Sequence, residues 1–194
     1  MGEPNPQIIV IVGPNGARKS TLAPFLLHDA FGLTEYVNAD TIAQGLSAFN
    51  PEGAAFEAGR IMLRRLHRLA DERRNFAFES TLASRSYAAW IGELQRRGYE
   101  FHIMFLWLCD PSLAVERVRE RVRTGGHEVA EEVIRRRYVR GARNFCNLYQ
   151  PLASTWVVYD NSESGKPFQI ARGGKELETT VLSGKSWDRF CGVK

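Results

Sequence analysis

The residues with the clearest capacity for chemistry form the stretch Gly13-Pro14-Asn15-Gly16-Ala17-Arg18-Lys19-Ser20-Thr21. Glycine, four residues, glycine, lysine and then serine or threonine is the spacing of a P-loop, and every fixed position is met except the second glycine, which is Arg18. In such a turn successive backbone N–H groups converge on phosphate at the positive end of the following helix. Lys19 would neutralise phosphate oxygens and Ser20 would ligate magnesium, so ATP and Mg2+ are the expected cofactors. Glycine at position 18 would let the backbone approach the phosphates with no Cβ in the way. The arginine either crowds the nucleotide or swings clear and adds a cation. Weakened nucleotide affinity is the expectation carried forward.

Two acids follow short apolar runs: Asp40 after Tyr36-Val37-Asn38-Ala39, and Glu79 after Phe76-Ala77-Phe78. In an open parallel sheet ligands sit beyond the carboxyl ends of the strands, where both acids would lie. A group-transferring site needs a carboxylate to take the proton of the attacking hydroxyl, and Asp40 suits that role. Asp40 also suits the cap of a helix starting near Thr41, and the two roles are compatible. Glu79, with Ser80 and Thr81, suits binding of a substrate hydroxyl or of the water shell of magnesium.

Between Glu116 and Arg143 stand nine arginines and five glutamates, an excess equal to the +4 net charge of the whole chain. Guanidinium forks bind phosphate in pairs of hydrogen bonds and stabilise a phosphoryl group in transfer. Arg121 and Arg136 are the leading candidates, with His127 behind them. A solvated helix face is the plainer account of the same charges.

The elements that must position these groups alternate. Gln7–Val12 is a continuous β-branched run of the kind found in strands buried on both faces. A helix is expected from Ser20 to Phe31 with Leu22, Phe25 and Leu26 inward, and another from Ala54 to Arg74 with Phe56, Gly59, Leu63, Leu66 and Ala70 inward. Further strands are expected at Tyr36–Asn38, Phe76–Phe78, Phe101–Leu108 and Thr155–Tyr159, and a helix starting at Asp110-Pro111-Ser112 should break at Gly125-Gly126. Glu131–Leu148 carries the stripe Ile134, Tyr138, Gly141, Phe145 and Leu148. This is βαβ alternation: an α/β fold with a mostly parallel five-stranded sheet, an arginine-rich helical lid and a small hairpin around Gly173-Gly174.

The 194 residues, 44% hydrophobic and 25% charged, suit one compact domain spanning 1–194 and exclude disordered, collagen-like and coiled-coil classes. Three cysteines without CxxC spacing suggest neither a disulfide framework nor a zinc site. No apolar run reaches the length of a membrane span, so no membrane partner and a cytoplasmic location are expected. The basic residues lack interleaved stacking aromatics, which argues against nucleic acid.

Taken together, these residues resemble the zeta toxin family of P-loop kinases, in particular its short single-domain bacterial branch. The matching pieces are Gly13 to Ala17 with Lys19-Ser20-Thr21, Asn38-Ala39-Asp40, Phe78-Glu79-Ser80-Thr81, Phe105 to Leu108, Arg121-Val122 with Gly125-Gly126-His127, Arg135 to Tyr138, and Tyr159-Asp160-Asn161-Ser162. The resemblance implies a nucleoside-kinase-like fold that uses ATP and magnesium to phosphorylate a sugar hydroxyl, typically of UDP-N-acetylglucosamine, unless an antitoxin blocks the site. It implies Lys19 and Ser20 as phosphate and metal residues, Asp40 as the base and Glu79 as a substrate contact. The chain departs from the family at Arg18, and at Ala130, where this branch usually has proline. No antitoxin-like domain is fused to it, so the antitoxin would be a separate protein. A catalytically impaired nucleotide-binding protein, and a nucleoside or RNA kinase, are the alternatives.

Overall fold

The computed structural model describes residues 4–193 apart from 32, 34, 49–52, 127 and 164. His127 therefore lies outside the described residues. The elements run β1 (Gln7–Val12), α1 (Lys19–Phe31), β2 (Tyr36–Val37), α2 (Ala39–Leu46), α3 (Ala55–Asp71), β3 (Phe76–Ser80), α4 (Ser86–Arg96), β4 (Glu100–Trp107), α5 (Pro111–Arg123), α6 (Glu131–Asn144), β5 (Thr155–Asp160), β6 (Phe168–Gly174), β7 (Leu177–Val181) and α7 (Gly184–Cys191). A wide π-type turn, Phe145–Tyr149, follows α6.

The strands form one sheet in the order β2-β3-β1-β4-β5-β6-β7. The first five are parallel, and β6 and β7 are antiparallel additions at one edge. The β-branched run of β1 takes the centre because Ile8 to Val12 are wholly buried, flanked by β3 and β4 in register. That pairing ends together: Val12 lies opposite Ser80 and Phe105, so the turn after β1 and the acid-bearing end of β3 open at the same rim. The result is an α/β P-loop kinase-like fold.

Four expectations need correction. The sheet has seven strands rather than five, because the C-terminal hairpin pairs with β5. Gly173 and Gly174 lie inside β6, and the turn falls at Lys175-Glu176. A Cβ on Gly174 would stand 2.1 Å from Ser154 O, and one on Gly173 would stand 2.8 Å from the Trp156 ring, so the glycines permit close packing. In α1, Ala23 and Leu27 face the core with Leu22 and Leu26 beside them, while Phe25 is 67% exposed. In α3 the buried stripe is Ala58, Met62, Leu66, Leu69 and Ala70, with Phe56 80% exposed and Leu63 also outward. Both helices are apolar on more than one side, and the side that packs is set by the element each is tethered to.

Candidate active site

The phosphate turn is held by specific geometry. Gly16 adopts φ +80, and a Cβ there would lie 2.8 Å from Ala114 O of α5; a Cβ on Gly13 would lie 2.4 Å from Leu106 O. Arg18 adopts φ +56, in the left-handed region that glycine occupies without penalty. Ala17 N–H donates to Pro14 O, and Asn161 Nδ2, from the loop after β5, donates to Ala17 O at 2.9 Å. Arg117 of α5 locks that loop by donating to the carbonyls of Asn161 (2.8 Å) and Ser162 (2.7 Å). Burial pushes the Arg117 guanidinium pKa down, and the nearby Arg18 charge pushes the same way.

Lys19 opens α1, 8% exposed, with Nζ donating to Pro14 O at 3.0 Å and standing 3.6 Å from Glu79 Oε1. Glu79 Oε2 accepts three hydrogen bonds: from Tyr36 OH (2.5 Å), Ser20 Oγ (2.8 Å) and Asn38 Nδ2 (2.8 Å). Burial, then the negative charge of Glu79, raise the Tyr36 pKa far above the ordinary phenol value, so Tyr36 stays protonated as a donor. Asn38 also caps α2, its Oδ1 accepting from the N–H groups of Asp40 (2.7 Å) and Thr41 (3.3 Å). The cap is therefore Asn38 rather than Asp40, whose exposed carboxylate sits in the first turn of α2.

One cavity of about 440 Å³ gathers these groups. Asn15, Gly16, Arg18, Lys19, Ser20 and Thr21 line it from the turn, Asp40 and Glu79 from the strand ends, and Arg117 and Arg121 from α5. Gly13, Pro14 and Ala17 are buried and shape the turn from beneath. Gly126 lies against the Arg121 side chain, where a Cβ would meet Arg121 Cγ at 2.6 Å. Thr81 is half-buried outside the lining; its carbonyl packs under Gly141 of α6, where a Cβ would stand 2.4 Å away. Arg136 is exposed and does not line the cavity. Its neighbour Arg137 is the arginine of α6 that feels Asp40: burial lowers its pKa and the Asp40 charge opposes that shift.

Sequence reasoning assigned no role to Arg117, Arg137, Tyr36, Asn38 or Asn161. A signal existed for the arginines. Arg137 falls on the stripe Ile134, Tyr138, Gly141, and Arg117 falls between Ala114 and Val118, so each sits on a face that is otherwise apolar. A cation there has something to do at the inner rim.

Ser20 Oγ and the Glu79 carboxylate are hard oxygen donors beside the expected β- and γ-phosphate position, a set that fits Mg2+, which takes few protein ligands and completes its shell with phosphate and water. Among the described residues no helix is long and apolar enough to cross a membrane.

Residues 8–140 match the family described as AAA domain. An uncharacterized protein of Haemophilus influenzae is 30% identical over 130 residues, 67% of this chain and 91% of that protein. The fold is shared with AvrRxo1-ORF1:AvrRxo1-ORF2 with sulphate ions (TM-score 0.80, 13% identity, 99% of this chain), of which this chain spans only 65% of the length. It is shared too with a chain of the PezAT chromosomal toxin-antitoxin system of Streptococcus pneumoniae (TM-score 0.68, 16% identity, 99% of this chain and 81% of that chain).

Proposed function

The chain belongs to the AAA domain family, and from that premise we propose that it is an ATP-dependent kinase of zeta-toxin type, residues 1–194 acting as one domain in the cytoplasm. It transfers the ATP γ-phosphate to a sugar hydroxyl, with UDP-N-acetylglucosamine the leading acceptor. The observation that carries this reading is the shared cavity, which Lys19, Ser20, Asp40 and Glu79 line together.

The phosphate turn and Lys19 hold the triphosphate, with Arg121, which lines the cavity, and Arg137, which feels the Asp40 charge, as the charge-stabilising arginines in place of the exposed Arg136. Glu79 orients the acceptor; Thr81, outside the lining, takes no part. Asp40 accepts the proton as the acceptor oxygen bonds to the γ-phosphorus; the bond from that phosphorus to the β,γ-bridging oxygen breaks, and ADP leaves. Magnesium, when bound at Ser20, neutralises phosphate charge. One neighbour is a structure of ORF1 with ORF2 and another belongs to a toxin-antitoxin system, and that likeness supports a separate antitoxin protein as the partner.

Incubation with labelled ATP, magnesium and a panel of nucleotide sugars and nucleosides tests the reading. Label should pass to a nucleotide sugar, and Asp40→Ala should lower the rate by about 100-fold or more; transfer that survives Asp40→Ala removes the assigned base. The left-handed Arg18 favours one second reading, an impaired nucleotide-binding protein. On that reading only the Arg18→Gly variant transfers label.

A further inference from the structure

Asn38 is 7% exposed and both ends of its amide are used in the site. Nδ2 donates to Glu79 Oε2 at 2.8 Å and to Ser20 Oγ at 3.1 Å. Oδ1 accepts from Asp40 N–H at 2.7 Å and Thr41 N–H at 3.3 Å. The amide has one workable orientation. Turned over, its oxygen would face the Glu79 carboxylate and its NH2 would face two N–H donors, two repulsions in place of four hydrogen bonds.

We infer that Asn38 is the positioning residue that sets the separation between the metal-side serine and the base, one rigid planar group spanning Ser20 and Glu79 at one end and the helix turn carrying Asp40 at the other. A planar amide has no internal freedom to lengthen, and χ1 and χ2 are fixed by hydrogen bonds at both ends. Asp40 is exposed and its own helix is only eight residues long; Ala39 and Ile42, with the buried Ala43, seat that helix against the core, and the Asn38 amide is the hydrogen-bonded tie from its first turn to Ser20 and Glu79. In phosphoryl transfer, alignment of base, acceptor and phosphorus decides the rate, and an error of about 1 Å costs about 100-fold. Asn38 touches no reacting atom. It acts through Ser20, Glu79 and Asp40, and the inference rests on the kinase reading.

Two substitutions separate this role from simple helix capping. Asn38→Ser keeps a cap acceptor and loses the long donor arm. Asn38→Asp keeps a cap acceptor and places a second carboxylate against Glu79, with Lys19, Tyr36 and Asp40 the other titratable groups around it. The probe is ATP with magnesium alone, and the rate is γ-phosphate release to water, which needs no identified acceptor. Wild-type chain should bind ATP in a calorimetric titration and release phosphate. Asn38→Ser should unfold at the same urea midpoint, keep KM for ATP within about threefold, and lose about 100-fold in kcat. Asn38→Asp, which replaces the amide donor by an acceptor, should show a similar loss in kcat with KM for ATP within about threefold. Wild-type-like kcat in Asn38→Ser or in Asn38→Asp overturns the inference while leaving the kinase reading in place. A wild-type chain that neither binds ATP nor releases phosphate overturns the kinase reading itself. Should Asn38→Ser fail to fold, the kcat and KM of Asn38→Asp decide.

Discussion

Arg18 and Glu79 illustrate how single side chains set the state of the site. Arg18 holds a left-handed conformation that costs an L-residue about 1 kcal/mol, partly offset against glycine because glycine loses more chain entropy on folding. Arg18→Gly should therefore raise stability in urea unfolding by about 0.5 kcal/mol. The same variant should tighten ATP binding in calorimetry by about tenfold if the side chain crowds the phosphates, an order of magnitude being about 1.4 kcal/mol. A weaker affinity would mean that the guanidinium serves as a phosphate contact. Glu79 engages Lys19 and Ser20, the two groups a bound nucleotide and its metal would claim. Glu79→Gln should release Lys19 and lower KM for ATP a few-fold, while turnover falls by about 100-fold as an acceptor contact is lost. His102 offers a pH probe away from the site. Burial lowers its pKa, with Glu100 opposing, and its Nδ1 pairs with Thr155 Oγ1 at 2.7 Å. The unfolded chain therefore binds more protons at this position as pH falls through about 6.5, and folded stability declines there. Urea midpoints between pH 7.5 and 5 should fall more steeply for wild type than for His102→Gln.

At the scale of elements, the strands and the turn between β1 and α1 were legible because their physics is local. A β-branched run buried on both faces has one reading, and a P-loop spacing fixes where the next helix begins. Placing Asp40 and Glu79 at strand ends followed directly, and the cavity between Lys19 and Asp40 is the outcome. The faces of α1 and α3 were not legible in the same way: each carries apolar residues around more than half its circumference, and packing partners distant in sequence choose among them. The Glu79 hydrogen bonds were equally out of reach, since Tyr36, Asn38 and Ser20 are 41 to 59 positions away from it. Gly141 tests how α6 is seated. Its backbone meets the Thr81 carbonyl too closely for a Cβ, so Gly141→Ala should force α6 away from the loop after β3, costing about 1–3 kcal/mol in thermal or urea unfolding.

Over the whole molecule, the C-terminal residues complete a core that the first five strands leave open. Phe190 of α7 packs against Phe105, Phe145 and Trp107 with ring centroids 5.0, 5.5 and 5.8 Å apart, all four wholly or nearly wholly buried. Phe190→Ala should lower stability by about 3–5 kcal/mol, read from urea unfolding, although no residue of this helix lines the cavity. The same long-range logic applies to the phosphate turn. Its glycines and lysine lie within the first twenty residues, yet the carbonyl of Ala17 is held by Asn161, 144 positions later, and Arg117 secures that loop in turn. During synthesis the turn thus leaves the ribosome long before its last restraint. A nascent chain that has not yet reached Asn161 therefore carries the turn without the side-chain hydrogen bond that holds the Ala17 carbonyl.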